Sequence, residues 1–297
     1  MTIFNLGSIN VDYIYKLPHF PLRGETVPSV DYDIGLGGKG INQSIAAVNA
    51  GGTVVHIGSI GAEDDWILKT LHNLNLETNH IAVSEHTTGH AIIYLNKSAE
   101  NTIVLHAGAN YDFKLPNIEK SLSESQDGDW LLLQNETNLG YETVNYARSL
   151  GLKIAYSAAP FDYQKIEEVL PYCDLLVLNE VEVKQCKSNI ENFDALTAGM
   201  IFIITRGEAG ATCYMNGEKL TVPAFSVVAV DTTGAGDTFL GFLLAAIDNG
   251  VALESALKLS AAAAAIQITR DGAVQAIPLL KEVEAFASLS TYKVKRF

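Results

Sequence analysis

The residues with the clearest chemical potential lie in the string DTTGAGDTF at 231–239. A strand-like apolar run at 226–230 precedes it, and apolar residues at helical spacing follow it from Phe239 onward. Gly234 to Asp237 are therefore predicted at a helix N-terminus, where unpaired N–H groups and the helix dipole favour an anion such as a phosphate. The same dipole would keep the Asp237 carboxylate ionised, as a general base requires. The alternative is a helix that is merely capped by a glycine turn, and this string alone does not decide between the two.

A second glycine-rich string, GLGGKGINQ at 35–43, leads into another predicted helix. It matches G-x-G-x-x-G, but no apolar strand precedes it and no acidic residue closes the next strand, which argues against a dinucleotide site. Lys39 is followed by glycine where a Walker A motif requires Ser or Thr. Two interpretations remain: a loop that presents Lys39 and Asn42 to hydroxyl groups or a phosphate, or a tight turn with a solvated lysine.

Two polar pairs follow predicted strands. Asn10 and Asp12 share one face of an extended segment, so an amide and a carboxylate could bind adjacent sugar hydroxyls. Asn179 and Glu182 follow the run LLVL at 175–178, and their oxygens suit Mg²⁺ held through water. Each pair has a simpler explanation, a turn in the first case and the first turn of a helix in the second.

Other catalytic signatures are missing from the chain. None of the seven histidines has HExxH spacing and no GxSxG elbow occurs, so metallohydrolase and α/β-hydrolase chemistry are unsupported. The cysteines, Cys173, Cys186 and Cys213, form no CxxC pair and are odd in number. We expect them to be buried, small apolar residues in a reducing compartment.

Short runs rich in Val, Ile and Leu alternate with helical patterns along most of the chain. We predict strands at 3–6, 53–57, 130–133, 153–156, 175–178, 201–205 and 211–214. We predict helices at 41–50, 64–74, 139–150, 180–187, 235–249, 253–269 and 279–289. Apolar strands that alternate with helices indicate a mostly parallel sheet covered on both faces, with ligands bound beyond the carboxyl ends of the strands.

Two segments interrupt this alternation. Residues 11–34 contain three prolines and no helical period, whereas 88–105 contain a predicted hairpin with strands at 91–95 and 102–105 and a polar turn at 96–101. We expect a small second sheet that acts as a lid. The domain prediction is therefore a single α/β domain over 1–297, with a β lid built from about 11–34 and 88–105.

The acidic composition excludes some partners. Lys plus Arg number 20 and Asp plus Glu number 34, so the formal charge is −14 and a nucleic-acid or anionic-membrane surface is disfavoured. The longest apolar runs fall far short of the ~20 residues that span a membrane, and the N-terminus lacks a signal-peptide pattern. We expect a soluble cytoplasmic protein without nucleic-acid or membrane partners.

Taken together, these strings closely resemble the PfkB family of sugar and nucleoside kinases, and its ribokinase branch most of all. The resemblance rests on GSINVD at 7–12, RGETV at 23–27, GGKGINQ at 37–43, TTGHAIIYLN at 87–96, LHAGAN at 105–110, NEVE at 179–182, DTTGAGDTF at 231–239 and TRDGA at 269–273. It implies a ribokinase-like α/β fold, which is a three-layer sandwich with a mostly parallel sheet plus a small β-sheet lid. It also implies a homodimer formed through the lid.

The resemblance implies an activity as well: transfer of the γ-phosphoryl group of ATP to the primary hydroxyl of a sugar, with Mg²⁺ and, as a further candidate, K⁺. D-ribose, giving D-ribose 5-phosphate, is the first expected acceptor. Another sugar kinase, a sugar-acid kinase such as a 2-keto-3-deoxygluconate kinase, and a nucleoside kinase remain alternatives. A non-catalytic sugar-binding protein of the same fold is the alternative from a different class.

Roles follow by matching position. Asp237 would be the base, and Gly234, Ala235 and Gly236 the anion hole. The sugar would be bound by Asn10, Asp12, Gly38, Lys39, Asn42 and Glu136, with Ala91, Ile93 and Leu105 as its lid-side wall. Asn179, Thr205 and Gly207 would contact the nucleotide, and Glu182 would organise Mg²⁺ through water. A monovalent-cation loop would be formed by Asp231, Thr233, Arg270 and Gly272.

The chain departs from the family pattern at four positions. Ala276 stands where ribokinases often have Ser, which removes one oxygen from the cation loop and leaves K⁺ dependence open. Ala261 provides no ring to stack on the adenine, so a loose nucleotide preference is expected. Asn135 and His90 are unusual neighbours of predicted sugar-binding residues and could reshape that pocket.

Overall fold

The computed structural model of the chain describes residues 1–97, 101–288 and 294–296. Its strands are β1 (Thr2–Leu6), β2 (Asn10–Lys16), β3 (Asp31–Gly37), β4 (Thr53–Gly61), β5 (Ile81–Ser84), β6 (Gly89–Leu95), β7 (Asn101–His106), β8 (Trp130–Gln134), β9 (Lys153–Ser157), β10 (Leu175–Asn179), β11 (Ile201–Thr205), β12 (Ala211–Met215), β13 (Glu218–Val222) and β14 (Lys295–Arg296). Its α-helices are α1 (Lys39–Asn49), α2 (Asp65–Asn73), α3 (Leu115–Leu122), α4 (Gly140–Ser149), α5 (Tyr163–Val169), α6 (Glu180–Asn189), α7 (Phe193–Leu196), α8 (Ala235–Asp248), α9 (Leu253–Gln267) and α10 (Leu280–Ser288).

The strands form one large and one small sheet. The ten-stranded sheet has the order β14-β13-β12-β11-β10-β9-β8-β1-β4-β5. Neighbours are parallel from β11 through to β5, and antiparallel from β11 out to β14. The predicted mostly parallel sheet is therefore confirmed, with an antiparallel extension at one edge.

Helices cover this sheet on both faces. The side chains of β8, which point alternately to the two faces, contact helices on each side. Trp130 and Leu132 pack into a hydrophobic cluster with residues of α1, α8 and α9. Leu131 and Leu133 point the other way, into a cluster with Val144 of α4 and residues of α3, α5 and α6. A strand buried on both faces has no polar side, which is why these strands are continuous apolar runs. The three-layer sandwich is confirmed.

The small sheet has the order β3-β2-β6-β7. β2 is antiparallel to β3 and parallel to β6, and β6 is antiparallel to β7. The predicted hairpin corresponds to β6 and β7, and the middle of its predicted turn, at 98–100, lies outside the described residues. The segment predicted at 11–34 supplies β2 and β3, with its prolines in the irregular stretch between them.

One strand-like segment was predicted wrongly. Residues 226–230 are irregular: Val228 is exposed and the Val230 N–H donates to the Ile268 carbonyl, away from any strand. An apolar run forms a strand only where a neighbouring strand can pair with it. The short helices α3, α5 and α7 were not predicted, and residue 289, the last of the final predicted helix, lies outside the described residues.

None of the helices in the described ranges is long and apolar enough to cross a membrane.

Candidate active site

The site centres on Asp237 in the first turn of α8. A Cβ on Gly241, one helical turn further along, would lie 2.5 Å from the Cβ of Ala46 in α1, so the two helices touch where only glycine fits. This close approach brings Asp237 within reach of α1. Asn42 donates from Nδ2 to Asp237 Oδ2 at 3.0 Å, and Gln43 donates from Nε2 to Oδ1 at 2.8 Å.

Opposing effects set the protonation of Asp237. Burial raises the pKa of its carboxyl, whereas Lys39 and the amides of Asn42 and Gln43 lower it, and the net direction is upward. Burial alone would lower the pKa of Lys39, but the carboxylates of Asp237 and Glu136, among others, outweigh it and the pKa is raised. The site thus places a shielded carboxylate near a lysine that stays charged.

A buried chain of amides, which the sequence did not predict, continues from Gln43. Gln134 donates from Nε2 to Gln43 Oε1 at 2.8 Å and to Asn5 Oδ1 at 3.0 Å, and Asn5 in turn donates to the Gly40 carbonyl at 2.8 Å. Gln43, Gln134 and Asn5 are almost completely buried. Because Gln43 Oε1 accepts from Gln134, its amide nitrogen must face Asp237. The one available signal was a glutamine at the end of an otherwise apolar strand.

The predicted sugar-binding residues gather where β2, α1 and the segment after β8 meet. Glu136 Oε2 accepts from Ser8 Oγ at 2.5 Å and from the Lys39 backbone N–H at 3.1 Å. Gly38, with φ 102°, is the residue that turns the chain into α1. This joins the loop of Lys39 directly to Glu136, as a shared pocket for one ligand requires.

The side chain of Asn10 is held in place by Asn110, a residue for which the sequence predicted no role. Asn110 donates from Nδ2 to Asn10 Oδ1 at 2.8 Å, and its own Oδ1 accepts from the Ile9 backbone N–H at 2.9 Å. Asn110 is buried. One lone pair of the Asn10 oxygen is therefore used, and the amide nitrogen of Asn10 could donate to a ligand.

Asp12 and the predicted lid-side wall lie in one row across the small sheet. Asp12 is opposite Ala91, and Ala91 is opposite Leu105. Ile93 lies two residues beyond Ala91 and so on the same face. Burial, reinforced by the negative charge of Glu136, raises the pKa of Asp12 to about 7. His90 points to the opposite face, against the ring of Tyr13.

Asn135 also turns away from the predicted pocket. Its Oδ1 accepts from the Tyr156 hydroxyl, and its Nδ2 donates to the Pro160 carbonyl at 2.9 Å. The unusual neighbours His90 and Asn135 therefore pack elsewhere and do not line the space around Asp12 and Glu136.

A cavity of about 590 Å³ lies beside the first turn of α8. Its lining includes two of the predicted anion-hole residues, Ala235 and Gly236, at the start of α8. Two of the three residues predicted to contact the nucleotide also line it, Thr205 and Gly207. Small apolar side chains form much of the remaining wall: Ala211, Ala224, Ala229, Ala261, Ala264 and Ala265. The cavity and the residues predicted to bind the sugar are thus both next to the N-terminus of α8.

The third predicted nucleotide residue, Asn179, caps α6. Its Oδ1 accepts from the backbone N–H groups of Val181 and Glu182, both at 2.9 Å, while Glu182 Oε2 accepts from the Asn179 N–H at 2.8 Å. Only the amide nitrogen of Asn179 is left for a ligand. Glu182 is close enough to Lys39 to contribute to the raised pKa of that lysine.

The predicted cation loop is tightly bonded within itself. Asp231 Oδ1 accepts from the Thr233 N–H at 2.9 Å and from its hydroxyl at 2.7 Å, and Asp231 Oδ2 accepts from the Gly272 N–H at 3.0 Å. The Arg270 guanidinium pairs with Glu282 at 2.7 Å and donates from Nη1 to the Ala276 carbonyl at 3.4 Å. Among the described residues, no group of three or more His, Cys, Asp or Glu could hold a metal ion.

A solved structure with the same architecture defines the class of protein. The ribokinase of Cryptococcus neoformans in complex with ADP superimposes with a TM-score of 0.83, at 31% identity, over 96% of this chain and 98% of that chain. The ribokinase-like fold is therefore confirmed.

The sequence comparisons define the family. The model of the pfkB family carbohydrate kinases matches residues 2–280, so the chain belongs to the PfkB family of carbohydrate kinases. It is 36% identical to the Haemophilus influenzae ribokinase over 303 residues, covering 96% of the chain and 98% of the relative. It is 28% identical to the Salmonella typhi deoxyribokinase over 305 residues, covering 98% and 100%.

Proposed function

We propose that the chain is a sugar kinase that transfers the γ-phosphoryl group of ATP to the primary hydroxyl of D-ribose, forming D-ribose 5-phosphate. The observation that carries this proposal is the position of Asp237, buried at the N-terminus of α8 between the polar residues of the sugar side and the 590 Å³ cavity. The identity to a ribokinase supports ribose as the acceptor.

In this mechanism Asp237 accepts the proton of the sugar CH₂OH as the sugar oxygen attacks the γ-phosphorus, and the bond from that phosphorus to the bridging oxygen breaks to release ADP. A sugar hydroxyl is a weak nucleophile, and general-base assistance of this kind contributes about 10²–10⁴-fold. Backbone N–H groups at 234–236 stabilise the negative charge of the transferring group, and Lys39 adds a full positive charge nearby. The first turn of α8 thus supplies both the carboxylate that accepts the proton and the N–H groups that stabilise the transferring phosphoryl group.

ATP occupies the cavity in this proposal, with Thr205 and Gly207 beside it and Gly236 beneath its phosphates. Mg²⁺, when bound, would neutralise negative charge on the phosphates. Glu182 would hold the ion through water, since it offers a hard carboxylate beside Asn179 and near Lys39. The cation loop fits its predicted ion less well, because its carbonyl oxygens accept hydrogen bonds from the buried amide of Gln267.

The small sheet is proposed as the lid over the sugar. Ala91, Ile93 and Leu105 share the face of Asp12 and would close the pocket from above. We include in the proposal a single domain over 1–297, the lid at about 11–34 and 88–105, a homodimer through this lid, and a cytoplasmic location where ATP is available.

A panel of acceptors tests the function. ADP release would be followed with ATP, Mg²⁺ and D-ribose, 2-deoxy-D-ribose, D-fructose, 2-keto-3-deoxygluconate or adenosine in turn. We expect D-ribose to give the highest kcat/KM, because the polar groups of Asn10, Asp12 and Lys39 match the hydroxyl groups of a compact sugar. If another acceptor gave the highest activity, that acceptor would replace D-ribose in the proposal, and the assignment as a kinase would stand. Binding of sugars without any ADP release would favour a non-catalytic binding protein.

A further inference from the structure

The predicted monovalent-cation loop contains a side chain that competes with a cation. Gln267, the last residue of α9, is completely buried. Its Nε2 donates to the carbonyl oxygens of Thr233 at 3.1 Å, Gly272 at 3.2 Å and Ala273 at 3.0 Å. Thr233 and Gly272 are two of the residues predicted to surround the ion.

These contacts supply the carbonyl oxygens of the loop with a donor, so these oxygens do not need an alkali cation as their partner. A cation is bound by carbonyl lone pairs that converge on it, and here the lone pairs converge on an amide nitrogen. Both oxygens of Asp231 already accept hydrogen bonds from the loop, and Ala276 contributes no side-chain oxygen. The two N–H bonds of a primary amide also carry partial positive charge, so a cation at this point would be repelled.

Gln267 also lies directly behind the anion hole. A Cβ on Gly234, whose φ is 73°, would be 3.3 Å from Gln267 Nε2. The amide ties the loop before α8, through Thr233, to the loop after α9, through Gly272 and Ala273. It therefore connects the same two segments that a bound cation would connect, next to the residue that turns the chain into the anion hole.

We infer that the side-chain amide of Gln267 takes the place of the monovalent cation, so that this kinase works without K⁺. The inference rests on the proposed function for its kinetic test, but not for its binding test. A covalently attached donor is always present, whereas an ion must be bound from solution, so the loop is ordered at any K⁺ concentration.

The first arm of the test uses the wild-type protein. Turnover and thermal unfolding would be measured in KCl, NaCl and tetramethylammonium chloride at equal ionic strength. We expect kcat to agree within about twofold and Tm to be insensitive to the cation, because no site responds to it. ²⁰⁵Tl⁺ NMR should show no saturable binding. Saturable stimulation by K⁺, a K⁺-dependent rise in Tm or specific Tl⁺ binding would overturn the inference.

The second arm converts the amide into an acceptor. Gln267→Glu keeps the shape but places a carboxylate against three carbonyl oxygens, an arrangement that a cation relieves. We expect kcat of this variant to fall at least about tenfold in tetramethylammonium chloride and to be restored by K⁺, with a K⁺-dependent rise in Tm. Gln185→Glu, exposed on α6, controls for the added charge and should show neither effect.

Each result with Gln267→Glu bears on the role of the amide. A Gln267→Glu protein with wild-type kcat and Tm in every salt would contradict the role of the amide. If this variant does not fold in any salt, the wild-type arm decides alone. Thermal unfolding and Tl⁺ binding require no turnover, so a chain that proves inactive on sugars would still test the cation inference separately from the proposed function.

Discussion

Nε2 of Gln43 lies 2.8 Å from Oδ1 of Asp237, and both side chains are buried between α1 and α8. Gln43 can only donate in this pair, since Gln134 occupies its oxygen. The carboxylate is therefore oriented by one amide on each oxygen, Asn42 being the second. A base that is oriented before the substrate arrives loses no rotational freedom in the reaction.

Removing the base should separate catalysis from binding. Asp237→Asn keeps the size of the side chain but cannot accept the proton, so we expect kcat to fall about 10²–10⁴-fold. Ribose affinity, measured by calorimetry, should change less than about threefold, because the sugar is bound mainly by other groups. Near wild-type kcat in this variant would show that Asp237 is not the base.

Gln134 should act as a positioning residue although it does not touch Asp237. Gln134→Met keeps the volume and deletes both donors, which frees Gln43 to rotate. The weaker hydrogen bond to Asp237 should raise the pKa of the carboxyl, so the acid limb of kcat shifts to higher pH and kcat falls about tenfold. The pH profile of kcat would be measured at saturating ribose, so that changes in sugar binding do not contribute to it.

The control for this prediction is Thr143→Val, which deletes a buried hydrogen bond on α4, a helix that packs against α3 and α5. Lys39 and Glu136 also act on Asp237 and are the same in both variants. If Gln134→Met and Thr143→Val lose the same Tm and neither moves the acid limb, the role of Gln134 is only structural.

Asp12 should make stability depend on pH. Its pKa is about 7 in the folded chain against 3.8 for an exposed carboxyl, so the folded state retains a proton that the unfolded state releases between these values. The unfolded state then binds fewer protons, and stability falls as pH rises through this window and is constant above it. Asp12→Asn removes this loss.

We therefore expect the Tm difference between Asp12→Asn and wild type to grow in favour of the variant from acid to neutral pH, in the absence of sugar. Burial also raises the pKa values of Asp237 and Glu182. Their contributions to the pH dependence cancel in this comparison, because both residues are present in the variant and in the wild type. A difference that is constant across the window would show that Asp12 ionises normally.

The alanine-lined cavity should be sensitive to added volume. Ala264 is half-buried on its wall, and Ala264→Leu would extend into the space proposed for the nucleotide. We expect the KM for ATP to rise about tenfold while the Kd for ribose is unchanged. Ser255→Leu, exposed on the same helix, is the control. An unaltered KM for ATP in the Ala264 variant would show that ATP does not bind in this cavity.

Features set by local sequence were predictable. Glycine before an apolar helical period placed the start of α8 at Ala235, and alternating apolar strands and helices indicated the covered parallel sheet. The loop around Lys39 and Asn42 was found by its residue types. In each case the signal and the structure lie within about ten residues of one another.

Features that depend on distant pairing were not predictable in the same way. The contact of Gln134 with Gln43 joins positions 91 residues apart, and that of Asn110 with Asn10 joins positions 100 apart. The run at 226–230 has strand composition but no strand beside it. Gln267 falls in an ordinary helical pattern, and only the folded loops around it show what its amide contacts.

The most direct test of the central claim is the identity of the product. The wild-type protein would be incubated with D-ribose, ATP and Mg²⁺, and the phosphorylated carbon assigned by ³¹P–¹H correlation NMR. We expect the new phosphate to couple to the two protons of the terminal CH₂ group, with one ADP formed per sugar phosphate. A phosphate at the anomeric carbon, or ADP formation that does not depend on any sugar, would contradict transfer to the primary hydroxyl.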